Sequence, residues 1–269
     1  MTITGERYIR RDIIDYSYEL SPEEESRLVT KLLHEREPVS DDRFVCYEID
    51  GDDEASNLGR TIEREVFERF FEGNDAERMK LEYGEYEQQS TFFVRIDRET
   101  QRPAGALRVI GDGPHGFKTL NDVAALEDDP NYAHGVFEHY AIKNPAQCWD
   151  IATAAVRKGY GGGETSAELY RAMWVASQRH DIRHFFSVID EKPFELMGLV
   201  GFPFEPLSGA DWMSYVGSAK SLPVYGAAPI FEEAVRDQEE RTDEELRPFL
   251  HDSFRILGHG DRDDMLMLR

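Results

Sequence analysis

Cysteine is nearly absent: Cys46 and Cys148 are the only two in 269 residues, too few for a disulfide framework and not spaced as metal knuckles are. A reducing cytoplasm fits that usage. Long apolar runs are missing as well. The opening stretch MTITGERYIRRDIIDYSYEL holds none that resembles a signal peptide, and no later stretch approaches the roughly 20 residues that cross a bilayer. A soluble, cytoplasmic protein is expected. Basic residues are in short supply, 31 against 54 acidic ones for a formal charge of -23. A chain of that sign is repelled by nucleic-acid backbones and anionic membrane surfaces, so neither is an expected partner. There is no internal repeat, no low-complexity segment and no nucleophile elbow with a Ser/His/Asp order, which sets covalent catalysis aside.

What is present suffices for a globular core, since 40% of the residues are hydrophobic. SPEEESRLVTKLLHE predicts a first helix with a capping box from Ser21 to Glu24. RFVCYEI predicts a strand, and LGRTIEREVFERFFEG a second helix with Ile62, Val66, Phe67 and Phe70 on one face, stopped at Gly73 and Asn74. TFFVRID and AGALRVIGD flank a turn and predict a hairpin. The stretch from Gly113 to Gln147 reads as a long loop that would border a pocket. CWDIATAAV then predicts a strand, ETSAELYRAMWVASQRH a helix, IRHFFSVID a strand, and EKPFELMGLV a short helix stopped by Gly201. FPFEPL and WMSYVGSAKSLPVY predict two closing strands, and a charged helical tail restarts at Thr242. The expected fold is α/β (α+β), a mixed sheet with helices packed on it. The expected divisions are an extension over 1–44, a core over 45–226 and a tail over 227–269.

The stretch AAVRKGYGGGETSAELYRAM joins a strand to a helix through glycines. Free backbone N–H groups at a helix start form an anion seat, and Arg157 and Lys158 reverse the local sign of a very acidic chain. The other reading is a surface turn. The end Gly-Gly-Glu-Thr does not match the Gly-Lys-Ser/Thr of a P-loop, and a dinucleotide fingerprint belongs after the first strand of a βαβ unit.

The run Lys158-Gly159-Tyr160-Gly161-Gly162-Gly163 resembles the Gln/Arg-x-x-Gly-x-Gly/Ala signature of the GNAT acyltransferase superfamily. The order of hairpin, strand, loop, helix, strand, short helix and closing strands over about 45–226 is similar too. REVFERF, LEYGEYE, GALRVI, CWDIATAAV and SLPVYGAAPIFEEAV look most like segments of the acyl-homoserine-lactone synthases and the N-acyl amino acid synthases. The resemblance implies a mostly antiparallel sheet flanked by helices. It implies an acyl donor, coenzyme A or an acyl carrier protein, whose phosphates the loop from Arg157 to Gly163 would bind. It also implies a splayed strand at Ala155 and Val156 that would pair with the donor's arm, and an amine or amino acid acceptor.

Amine acylation needs a base, and two candidates arise. Asp150 aligns with the family's strand glutamate; its other reading is a structural partner for a nearby arginine. Glu87 comes second, from the acidic run before the hairpin. Arg108 would hold an acceptor carboxylate or pair with Asp97 or another acid. Trp149 and Thr153 fall in the family's Trp-Glu-x-x-Arg motif, where Thr153 replaces the arginine, so S-adenosylmethionine is not carried over as acceptor. Met197 stands where many relatives have an acidic tyrosine, and no general acid is assigned. His180 and His184 straddle a helix end and a strand start, and no metal is expected. Arg157, Lys158, Arg171 and Arg179 are candidates to dock an acidic carrier protein if they share one face. The leading expectation is an N-acyltransferase. The alternatives are a domain that binds an acyl ligand or a protein without turnover, and a homoserine-lactone synthase.

Overall fold

A computed structural model describes residues 16–35, 43–71, 73–161, 163–199 and 203–233 of the protein. The Thr242 helix start, Gly162 and Gly201 lie outside the described residues. Helix α1 (Pro22–Glu35) opens with the expected reciprocal cap: the Glu24 amide donates to Ser21 Oγ at 3.2 Å and the Ser21 amide to Glu24 Oε2 at 2.8 Å. Strand β1 (Phe44–Asp50) precedes α2 (Asn57–Phe70), α3 (Ala76–Tyr83) and a 3-10 turn over Gly84–Gln89. The hairpin β2 (Ser90–Asp97) and β3 (Arg102–Ile110) forms as its alternation requires. Beyond it come α4 (Lys118–Leu126), α5 (Tyr132–His139), β4 (Cys148–Val156), α6 (Glu164–Arg179), β5 (His184–Asp190) and α7 (Glu191–Leu199). Strands β6 (Glu205–Pro206), β7 (Met213–Tyr215) and β8 (Ser218–Ala227) follow.

Three expectations need correction. The stretch read as a loop, Gly113 to Gln147, holds two helices, α4 and α5. WMSYVGSAKSLPVY is a hairpin rather than one strand, turning at Val216 and Gly217, both at positive φ. Phe70, expected on the inner face of α2, is 50% exposed, while Arg60 and Glu63 are fully buried.

The strands form one eight-stranded sheet in the order β1-β2-β3-β4-β5-β8-β6, with β7 also on β8. Every pairing is antiparallel except β4 with β5. Alternation gives each face its own core. Phe92, Val94, Ala106 and Ala155 pack with Leu28, Val29 and Leu32 of α1 and Leu58 and Ile62 of α2. Phe93, Leu107, Val109, Trp149 and Ile151 pack with Leu169, Met173 and Ala176 of α6. Cys148 and Phe186 pack with Leu120 and Val123 of α4 and Val136 of α5. Among the described residues no helix is long and apolar enough to cross a membrane.

Helix α2 lies tight against the sheet at Gly59, where a Cβ would fall 2.3 Å from the Phe92 ring. Helix propensity alone would make Gly59→Ala stabilising, but the overlap with a buried ring reverses the sign. Gly59→Ala is therefore expected to lower stability by roughly 1–3 kcal/mol, read as a fall in the urea midpoint.

Candidate active site

Strand β4 runs parallel to β5 only from Cys148 to Ile151, opposite His184 to Ser187. At that last rung Ser187 Oγ donates to the Ile151 carbonyl at 2.8 Å. On its other side, β4 steps in register against β3: Arg108 faces Thr153 and Val109 faces Ile151, with Ala152 left as the extra residue of a bulge. From there to Val156, β4 stays on β3 and leaves β5. The Arg157 amide donates to the Ala104 carbonyl at 2.9 Å. By alternation, the Ala155 amide turns toward β3 and the amides of Ala154 and Val156 turn to the freed side.

The freed edge leads into the glycine loop. Gly159 and Gly163 have φ of 98° and 87°, the left-handed region in which other residues are strained. The Tyr160 amide donates to the Arg157 carbonyl at 3.1 Å, and Gly163 stands at the α6 N-cap without a side-chain cap. The first turn of α6 thus keeps amides that a bound anion can satisfy. Lys158 and Gly161 are exposed there. Arg157 is placed differently: its guanidinium is buried between Glu25 of α1 (2.6 Å) and Glu65 of α2 (2.8 Å). Arg171 pairs with Glu168 and Arg179 with Glu48.

Asp150 sits on the next-to-last rung before the strands part, fully buried on the face that α4 covers. Its two oxygens accept the Thr119 amide at 2.6 Å and the Thr119 hydroxyl at 2.8 Å. Helix α4 begins after Phe117, which offers no capping side chain. A carboxylate from β4 therefore supplies the cap. Burial pushes Asp150 up to about 7, against the Thr119 hydrogen bonds and the Lys118 charge, which pull it down. A carboxyl in that range can both take and release a proton near neutrality. Its structural partner is a threonine, not an arginine.

Glu87 occupies a separate buried ion network between α2 and the sheet. It accepts Arg60 Nε at 2.7 Å and the Tyr18 hydroxyl at 2.6 Å. Burial pushes Glu87 up, but Arg108 and Arg60 outweigh it and leave the carboxyl below its ordinary value. A carboxylate so held is a weak base. Arg108 forks onto Glu63 at 3.1 and 2.7 Å, donates to Tyr18 Oη at 2.9 Å, and stacks on Tyr83 and Phe92. The Thr153 hydroxyl donates to Glu63. Asp97, the acid proposed for Arg108, pairs with Arg43 instead. Trp149 points to the opposite face, where its ring meets Phe93 edge-on. The structure thus brings Asp150, the freed edge and the glycine loop along one strand. It collects Glu87, Arg108 and Thr153 in the network and puts Trp149 under α6. His180 meets Glu48, and His184 meets the Tyr225 hydroxyl. Among the described residues no group of three or more potential ligands is arranged to hold a metal ion.

No protein-family model matches the chain, and no curated protein matches it by sequence. Solved structures do match. FeeM, an N-acyl amino acid synthase from uncultured soil microbes, is 16% identical over 71% of this chain and 94% of its own, with a TM-score of 0.53. The fold is that of the GNAT acyltransferases. Two further matches are looser. BjaI, a CoA-dependent acyl-homoserine lactone synthase, is 12% identical over 71% of this chain and 88% of its own, with a TM-score of 0.43. The AHL synthase LasI is 13% identical over 68% and 89%, with a TM-score of 0.42.

Sequence reasoning missed Thr119, Lys118, Glu63 and Arg60. Leu120, Val123 and Ala124 carry the spacing of a helix, a signal that could have found α4, but no capping residue precedes it. Two outcomes follow. Glu63→Gln leaves the Arg108 charge short of its fork and is expected to cost about 3–5 kcal/mol in urea unfolding. Asp150 has a folded value above that of a free carboxylate, so its contribution to stability is complete below about pH 4 and lost as pH rises to about 7. The stability of Asp150→Asn relative to the parent should therefore grow by at most about 1.4 kcal/mol per pH unit between about pH 4 and 7, then level.

Proposed function

We propose that this GNAT-fold protein is an N-acyltransferase that moves an acyl group from acyl-coenzyme A, or an acyl carrier protein, to the amine of a small molecule or amino acid. The carrying observation is the parting of β4 from β5 directly before an uncapped, glycine-rich helix start. It supports a donor laid along the strand, its amide-bearing arm paired with the freed edge of Ala154 and Val156 and its phosphates over Gly159 to Gly163 and Lys158. FeeM, of the same fold, is an N-acyl amino acid synthase.

In this reading Asp150 takes the proton of the acceptor ammonium, directly or through a water. The neutral nitrogen attacks the thioester carbonyl, and the freed-edge amides support the oxyanion. The carbon–sulfur bond then breaks, and the surplus proton on the nitrogen passes through solvent to the departing thiolate, leaving the amide and the free thiol. Glu87, Arg108 and Thr153 hold α2 on the sheet, and Trp149 anchors α6, so none of the four is assigned a contact with substrate. No general acid is assigned, since Met197 stands on α7 where the resemblance leads one to look for a tyrosine.

Calorimetric titration with acetyl-, octanoyl- and palmitoyl-coenzyme A tests the donor site. A Cβ at Gly161 would meet nothing within 4 Å, so Gly161→Asp should fold normally, place a negative charge at the seat and weaken binding at least tenfold. Equal binding by the parent and Gly161→Asp would remove the loop from the site. Saturable binding without release of free thiol in the presence of amines would favour the non-catalytic alternative.

A further inference from the structure

Beside Asp150 lies a second cluster, gathered on a buried lysine, that the proposed chemistry does not use. Lys118, the first residue of α4, is buried, and its Nζ donates to Glu82 Oε1 of α3 at 2.6 Å, Asp122 Oδ2 of α4 at 2.6 Å and the Tyr215 hydroxyl of β7 at 2.8 Å. The Tyr215 hydroxyl donates in turn to Asp122 Oδ2 at 2.6 Å. The ammonium also stands over the Tyr83 and Tyr215 rings at 5.4 and 5.0 Å. Three elements far apart in sequence thus converge on one lysine, and the next residue, Thr119, gives both of its donors to Asp150.

A buried ammonium with three acceptors is costly to assemble, and a simple clasp between helices needs no charge. Its place beside the residue that addresses Asp150 gives it a use. We propose that Lys118 is the positioning residue of the Asp150 centre: it fixes the α4 start so that Thr119 meets both carboxyl oxygens, and with Asp122 it sets the local field in which Asp150 exchanges its proton. The assignment rests on Asp150 acting as the base.

The charged and titratable groups around Asp150 are Lys118 and Asp122 of α4, Tyr86 of the 3-10 turn, Tyr215 of β7 and, through Lys118, Glu82 of α3. Lys118 draws the Asp150 carboxyl down and Asp122 pushes it up, both behind the larger effect of burial. Changing the two residues should therefore move Asp150 in opposite directions. A clasp with no electrostatic role would not produce that pattern.

The test is a carboxyl-carbon NMR titration of full-length protein labelled at aspartate, the Asp150 signal being assigned by its loss in Asp150→Asn. Lys118→Met should raise the Asp150 midpoint by about one pH unit, Asp122→Asn should lower it, and Lys118→Arg should return it near the parent value. Midpoints that stay fixed, or that move in one direction for both Lys118→Met and Asp122→Asn, overturn the proposal. If Lys118→Met fails to fold, the direction for Asp122→Asn decides alone. Acyl transfer measured across the same pH range should show a rising limb displaced in the same sense. Midpoints that move as expected in a protein without transfer activity would overturn the acyltransferase reading and leave the placement of Lys118 intact.

Discussion

The parting of β4 from β5 after Ile151 is the constraint on which the rest of the arrangement depends. Two parallel strands normally continue side by side, because each unpaired amide in a sheet interior carries a desolvation cost. Here the Ala152 bulge bends β4 while its hydrogen bonds to β3 persist, so the split is confined to one edge. The Ser187 hydroxyl on the Ile151 carbonyl closes the last rung. Everything assigned to chemistry lies on β4 or in the turn that leaves it: the carboxyl just before the fork, the open amides just after it, and the glycine turn beyond the strand's end.

Around the fork the fold uses buried charge where most cores use hydrocarbon. Arg60, Glu63, Glu87 and Arg108 lie buried between α2 and the sheet, and the buried Lys118 meets the half-buried Glu82 and Asp122 between α3, α4 and β7. Each cation is held by at least one carboxylate in direct hydrogen-bonding geometry, the condition under which buried ions are tolerated. Such networks are a weak source of net stability but a strong source of direction, because a fork such as Arg108 on Glu63 fits in one orientation only. They fix α2 and α4, the two helices covering the face on which Asp150 emerges, more narrowly than apolar contacts would.

Much of this was legible beforehand. Strands β1 to β5 followed from their β-forming runs and the helices α1, α2 and α6 from their periodicity, while the run from Lys158 to Gly163 and the order of elements suggested the fold that FeeM shares. What escaped at the site has one physical cause: the partners lie far away in sequence. Helix α4 lacks a local cap because Asp150, 31 residues away in sequence, provides it. A rule that looks for capping residues next to the helix cannot see that. Arg60 and Glu63 fall on the inner face of α2 by spacing, yet charge suggests a solvent face until the partner strands are known. The same blindness made Arg157 look like a ligand for phosphate, when two glutamates from other helices already occupy it.

Arg157 carries a consequence of its own. Its guanidinium joins Glu25 of α1 and Glu65 of α2 to the strand end from which the glycine turn departs. The first helix is therefore mechanically coupled to the loop, although more than a hundred residues separate them. A protein shortened to begin at β1 would lose half of that tether along with the apolar contacts of Leu28, Val29 and Leu32, and the turn after Val156 would be released from its anchor on one side. The N-terminal helix, which reads in sequence as an appendage, behaves in three dimensions as the buttress of the loop.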